Sequence, residues 1–416
     1  MNILGLNLNN KCLYLSIFLI ITIFIFTPYY FFESGLPQPS FLVIFALSLL
    51  LSIFNYERFN YFIRLNSFGI LFLLYIFFIN ITYAFLFKNT SFILSTLQWV
   101  YCFVLLIAIL LIANDKRLIL WIKLSAILGL LIIVIVYLVG YGKYDFWPRY
   151  QFYFNGPNQL GYFVLCVGII YLSVSNGKVD TPFFIIYSLI TFCIIITGGR
   201  SVYLGFIPLI VIFAFFARFK LKYILYLIII TIICISSFHF FNFPNCAYSA
   251  KLNKTEKLKQ CIYKNKNHDK FENNIFNDSI GRIYIPLKSD KEIKESSWYI
   301  SAVKQLEVRG YLRIIQYPQY LFFGAGQGMD ERFDNINGYE VHSSFAGVLF
   351  YYGFFGSVLF FLFLWNLFKI KINLLLLMPL FIYGLFTQGL RSPYFWIALG
   401  FVAMMPKSLF CPAVDD

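Results

Sequence analysis

Charged residues are scarce in this chain. Asp, Glu, Lys and Arg make up 12% of its 416 residues, and histidine occurs three times, at 239, 268 and 342. The counterpart of that scarcity is a composition 60% hydrophobic with a mean hydropathy of +0.75. No soluble fold of this length hides so much apolar surface, so a soluble globular class is excluded. The eight cysteines show no metal-ligand spacing, and nothing in the sequence calls for a metal or a cofactor. Six of them lie in or beside apolar runs, where a free thiol packs as a small hydrophobe. A basic-aromatic nucleic-acid motif is also missing, so the net charge of +14 does not point to a nucleic-acid partner. No A-x-A cleavage site follows the first apolar run, which is expected to be a retained span rather than a removed signal. The apolar runs carry no charged residues at their centres, and no inverted repeat is evident. A proton-coupled carrier would need a chain of Asp, Glu or His through the bilayer, and none is found.

What is present is a series of twelve apolar runs, at about 12–32, 40–54, 67–87, 91–112, 118–140, 159–174, 182–196, 201–217, 222–242, 344–368, 372–388 and 393–406. They predict an all-α polytopic membrane protein with about 12 transmembrane helices. The 52 Phe and 31 Tyr residues suit lipid-facing and interfacial positions. Nine spans fall in residues 1–242, a long polar loop in 243–341, and three spans with a short tail in 342–416. Short-loop cations cluster on one side: Arg58 and Arg64, Lys116 and Arg117, Lys178, Arg218, Lys220 and Lys222, then Lys369 and Lys371. The positive-inside rule makes that side cytoplasmic, with both termini on it and the long loop outside. Cys246 and Cys261 both fall in the loop, and an extracytoplasmic position would permit a disulfide between them.

The face opposite the cation-rich loops should be poor in charge, yet Arg149, Arg200 and Arg391 stand there at span ends. A single such Arg is explained by snorkelling to headgroup phosphate. Three on the face that also carries the long loop suggest a shared anionic site. Four segments on that face stand out. In W-P-R-Y-Q-F-Y-F-N-G-P-N-Q-L-G (147–161), G-P-N reads as a turn into a span with Asn158 able to cap the helix. In T-G-G-R-S-V-Y-L-G (197–205), Arg200 and Ser201 open a helix whose N-terminal N–H groups suit an anion. In and before E-V-R-G-Y-L-R-I-I-Q-Y-P (307–318), apolar residues at 298, 299, 302, 303, 306, 312 and 315 fit an amphipathic helix on the membrane surface. It would carry Arg309 and Arg313 on one side and end at Pro318, with G-A-G-Q-G (324–328) as a flexible turn. That glycine run lacks the Lys-Ser/Thr of a nucleotide loop. In G-Y-E-V-H-S-S-F (338–345), His342 precedes a span with Glu340 two residues before it. A lone His at a helix start is most simply a satisfied polar residue. Beside several arginines it is also a candidate proton acceptor.

In this order, the four segments resemble the O-antigen ligase and polymerase superfamily of bacterial envelope glycosyltransferases. T-G-G-R-S at 197–201 resembles its T-x-S/T-R signature, with Gly199 where Ser or Thr is common. Arg313 and Gly324, and His342 and Gly353, have the spacing of its Arg-x10-Gly and His-x10-Gly patterns. Q-G-L-R-S-P at 388–393 resembles a shorter segment near the last span. The R-G-Y-L-R-I-I-Q-Y-P-Q-Y run resembles O-antigen and capsule polymerases more than ligases, and Val303 stands where ligases carry their loop Arg.

The resemblance implies a glycosyltransferase-C-like architecture in the bacterial inner membrane, with the large loop in the periplasm. It implies a metal-independent transfer from a polyprenyl-pyrophosphate-linked oligosaccharide. The glycan acceptor would be a second lipid-linked repeat unit in a polymerase, or lipid A–core in a ligase, and a chain-length regulator is a further partner it allows. Arg200 with Arg309 or Arg313 would stabilise the leaving pyrophosphate, Arg149, Asn158, Ser201 and Arg391 would assist binding, and His342 with Glu340 would accept the acceptor's proton. A lipid-linked glycan transporter is a reading from another class, and would need charged residues along a path through the spans.

Overall fold

The computed structural model describes residues 9–32, 37–113, 115–145, 149–175, 179–218, 220–240, 248–249, 310–333, 340–368 and 374–404. Arg309, Cys246 and Cys261, named above, lie outside the described residues. The protein is mostly helical, and each apolar run folds as a helix.

In chain order the elements are α1 (Asn10–Ile21, continued by a π-helical turn over Thr22–Phe26), α2 (Pro39–Phe54), α3 (Tyr56–Leu65), α4 (Ser67–Phe87) and α5 (Ser91–Ile112). Next come α6 (Ile119–Leu138), α7 (Pro157–Val174), α8 (Thr181–Thr197), α9 (Arg200–Phe216) and α10 (Leu221–Phe240). Two four-residue helices follow, α11 (Arg313–Gln316) and α12 (Tyr320–Phe323), and then α13 (Ser344–Phe368), α14 (Leu374–Phe386) and α15 (Pro393–Ala403). A small sheet has β1 (Lys143–Tyr144) between antiparallel β2 (Tyr150–Phe152) and parallel β3 (Tyr248–Ser249).

Among the described residues, six helices are long and apolar enough to cross a membrane. They become seven if α2 and α3, bent by 98°, form one span. Helices α1, α8, α9, α14 and α15 are apolar but shorter. Length and composition thus support six or seven of the twelve expected spans among the described residues. The physical reason is reach: at 1.5 Å per residue a 17-residue helix covers about 25 Å, short of a hydrocarbon core of ~30 Å. Helix α3, Y-E-R-F-N-Y-F-I-R-L, accounts for the sharp bend. It is amphipathic and turns aside where the sequence had suggested only a basic connection.

The core sits around α7 and α15. Every α15 residue from Pro393 to Val402 is buried, and α7 is buried along nearly its whole length. Helix α15 packs against α5 and α7, α9 packs against α14, and α13 packs against α4. A wholly enclosed helix needs no lipid-facing stripe, which is why its apolar character runs all the way round.

Candidate functional site

The turn between α14 and α15 gathers the segments singled out in the sequence. Thr387 Oγ1 donates to Ser201 Oγ at 3.0 Å, at the start of α9. The Thr387 carbonyl accepts from Ser344 Oγ at 3.1 Å, at the start of α13, and Ser344 Oγ in turn accepts from the Gly389 N–H at 2.8 Å. Tyr383 donates to the Asn158 carbonyl at 3.0 Å, at the start of α7, and Tyr311 donates to the Leu385 carbonyl. Four helix ends and the strap at 310–312 thus meet on one side of the bundle.

Arg200 is exposed, and among the described residues its guanidinium makes no hydrogen bond or ion pair. It opens α9 directly after its N-cap Gly199, and the preceding Gly198, at a left-handed φ of 58°, ends α8. The Arg149 side chain passes this turn, with its Cγ 3.1 Å from where a Cβ on Gly198 would lie. Arg149 also pairs with Asp145 at 3.5 Å. A Cβ on Gly199 would come within 2.7 Å of Asn158 Oδ1, which supplies a local reason for glycine at 199. The expected cap differs. Gly156 is the N-cap of α7, Pro157 its first residue, and Asn158 lies inside the first turn. Asn158 Oδ1 is buried without a hydrogen-bond partner among the described residues.

At the other end of the same turn, Arg391 donates from Nε to Gln98 Oε1 at 3.0 Å and from Nη1 to Glu340 Oε1. Its carbonyl accepts from Gln98 Nε2 at 3.0 Å. His342 Nδ1 lies 2.7 Å from the Glu340 carbonyl. A carbonyl only accepts, so Nδ1 carries a proton, and in the neutral imidazole the lone pair is on Nε2. Glu340 therefore orients the imidazole through its backbone, while its carboxylate faces Arg391.

Arg313 has a different setting. It is 1% exposed, and Nη1 donates to Asp330 Oδ1 at 2.8 Å with the Phe333 ring beneath it. Tyr351 donates to the same carboxylate oxygen at 2.7 Å, and the Val341 N–H donates to the Tyr351 oxygen at 3.1 Å. Burial, with Glu340 adding to it, pushes the Asp330 carboxyl above its ordinary value, against the pull of Tyr351 and Arg313. Of the surface helix expected over 298–315, residues 298–309 lie outside the described residues. Gly310, at a φ of 70°, packs against Val341, residues 310–312 form a turn, and only Arg313–Gln316 is helical.

The two x10-Gly spacings also acquire a physical basis. Gly353, at φ 64° and ψ −169°, kinks α13. A Cβ there would lie 2.5 Å from the Phe322 carbonyl oxygen and 2.6 Å from the Gly324 nitrogen. A Cβ on Gly324 would lie 2.5 Å from Tyr352 Cα. The glycines ending the two motifs pack backbone to backbone, while their leading residues are joined through Asp330, Tyr351 and Val341.

Between these groups lies a cavity of ≈ 10 Å³, room for about one water molecule, lined by Trp99, Gln327, Ser344, Tyr351, Gln388 and Arg391. Among the described residues no cluster of His, Cys, Asp or Glu could hold a metal ion. Gln98, Gln327, Asp330, Tyr351 and Thr387 were not singled out in the sequence. Asp330 alone gave a signal there, as an acid next to a glycine run in a chain with 19 acids. Compared with known proteins, the chain matches no protein family and no curated protein.

Proposed function

We propose that this protein is a membrane glycosyltransferase of the bacterial inner membrane. It polymerises polyprenyl-pyrophosphate-linked oligosaccharide repeat units, of the O-antigen or capsular kind, at the periplasmic face. In this reading the chain crosses the membrane twelve times with both termini cytoplasmic. The observation that carries the proposal is the convergence at Thr387, which joins the Arg200 turn to the His342 segment through Ser201 and Ser344.

The chemistry follows from those groups. The acceptor hydroxyl oxygen bonds to the donor's anomeric carbon as the bond from that carbon to pyrophosphate breaks. The bonding pair leaves with pyrophosphate, whose growing negative charge is met by exposed Arg200, with Arg149 beside it. The hydroxyl proton passes to His342 Nε2. Arg391, already held by Glu340 and Gln98, steadies the His342 segment. Arg313 is buried against Asp330, so in this mechanism it is a positioning residue, and Arg309 is the loop guanidinium assigned to pyrophosphate.

The test uses purified protein in nanodiscs, given polyprenyl-pyrophosphate-linked repeat units as both donor and acceptor. A ladder of longer lipid-linked glycans, lost in His342→Ala and Arg200→Ala, supports the proposal. Transfer only after lipid A–core is added would replace it with a ligase. Inertness with both acceptors, accompanied by donor movement across the bilayer, would replace it with a transporter.

A further inference from the structure

The glycine run G-A-G-Q-G, expected to be a flexible turn, is bonded from Gly324 to the Gln327 N–H deep along the helix bundle. Tyr75 donates to the Phe323 carbonyl at 2.8 Å and Tyr83 to the Gly324 carbonyl at 3.1 Å, both from α4. Arg332 donates to the Ala325 carbonyl and, at 3.1 Å, to the Gly326 carbonyl. The N–H groups are matched as well. Gly324 donates to Tyr320 at 2.7 Å, Ala325 to the Phe350 carbonyl at 2.9 Å and Gly326 to the Tyr351 carbonyl at 2.8 Å. The last two carbonyls lie on the turn of α13 just before its Gly353 kink. The Gln327 N–H donates to Asn80 Oδ1 at 2.9 Å.

Depth can be read along two independent helices. Gly324 touches α13 at Tyr352 and Gly353, and Gly353 is about 13 Å along the axis from Ser344 at 1.5 Å per residue. On α4, Tyr83 and Tyr75 stand about 6 and 18 Å from the end at Phe87, so groups reached from both lie about 12 Å in. Both measures put α12 and the glycine run well inside a hydrocarbon layer of ~30 Å. The chain nevertheless arrives and departs at the His342 end. Tyr311 bonds Leu385 near the end of α14, and Gly328 packs on Ser91 and Phe92 at the start of α5.

We infer that residues 317–328 form a re-entrant element, dipping into the bilayer from the His342 end with Phe322 and Phe323 set against lipid hydrocarbon. Irregular backbone is tolerated at such depth only when its polar groups are bonded to protein, each unmet group costing several kcal/mol. The bonding just described meets that demand from the Phe323 carbonyl through the Gln327 N–H. Around Phe322 and Phe323 the outer surface of the element is apolar. Phe322 is 54% and Phe323 58% exposed; Phe323 stacks on Phe355 of α13, itself 43% exposed, and Phe322 meets the same ring edge to face. In water such a patch would be a liability, but in lipid it is the matching surface. Arg332 closes the base of the element, with its guanidinium 4.5 Å from the Phe333 ring centre, 4.9 Å from Phe92 and 5.0 Å from Tyr83. The inference needs α4 and α13 to span a membrane and is independent of the glycosyltransferase reading.

Fluorescence quenching by depth tests it. The protein carrying Cys246→Ser, Cys261→Ser and Cys411→Ser, whose five other cysteines are buried, receives Phe323→Cys and a bimane label. A second sample carries Glu331→Cys at an exposed position beyond the element. Both are reconstituted in phosphatidylcholine vesicles with nitroxide either on the headgroup or midway down the acyl chain. The ratio of mid-chain to headgroup quenching is expected to exceed unity at 323 and to invert at 331. Should Phe323→Cys fail to fold, Phe322→Cys takes its place with the same expectation. Headgroup quenching that dominates at 322 or 323, or aqueous iodide quenching equal to that at 331, overturns the inference.

Discussion

Arg200 and Arg313 are the same residue type in two opposite settings. Arg200 stands exposed at the first position of α9, with no ion pair or hydrogen bond from its side chain among the described residues. Arg313 is enclosed, matched by Asp330 and covered by Phe333. A guanidinium that already holds its carboxylate has little left for a second anion, whereas one held out at a helix start is ready for it. The sequence named both as candidates, Arg313 as an alternative to Arg309, and burial separates them into an exposed guanidinium and one enclosed in the fold.

The largest effect expected is on stability. Asp330→Ala strands a buried guanidinium and should lower unfolding free energy by about 3–5 kcal/mol, read as a drop in thermal midpoint in detergent. Replacing both partners, with Asp330→Ala and Arg313→Met, should recover much of that loss, because no buried charge then remains unmatched. Arg200→Ala comes next and differs in kind. It should change stability by no more than about 0.5 kcal/mol. In the transfer assay it should raise the barrier by about 3–4 kcal/mol, a loss on the order of 10²–10³-fold. Gly353→Ala, forced into a conformation open mainly to glycine and against the Phe322 carbonyl, should cost about 1–3 kcal/mol in the same unfolding experiment. The smallest expected effect is that of Ser201→Ala, which removes the partner of Thr387 and should cost about 0.5–1.5 kcal/mol. An Arg200→Ala variant as destabilised as Asp330→Ala would erase the contrast between the two arginines.

The helices were legible because apolar runs of the right length leave few alternatives. Helix α3 was not, since its ten residues hold a Glu and two Arg and read as a basic loop until the bend is seen. The site was legible at Arg200, Ser201, His342 and Arg391 because charge and polarity are rare on that face. Its connections were hidden. Thr387 and Gln98 are ordinary residues, and only folding brings them 186 and 293 positions from their partners. Within the described part of the expected surface helix, the left-handed Gly310 sets a turn before Arg313–Gln316, which periodicity in apolar residues does not register. Asp330 was visible but mute, since nothing in the sequence says that an acid seventeen positions from Arg313 will be folded back upon it.

The most direct test of the central contrast measures turnover and thermal unfolding on the same preparations of wild type, Arg200→Ala and Asp330→Ala. Arg200→Ala is expected to unfold with the wild type yet lose product formation from lipid-linked repeat units, while Asp330→Ala unfolds well below both. Full turnover by a folded Arg200→Ala variant would contradict it.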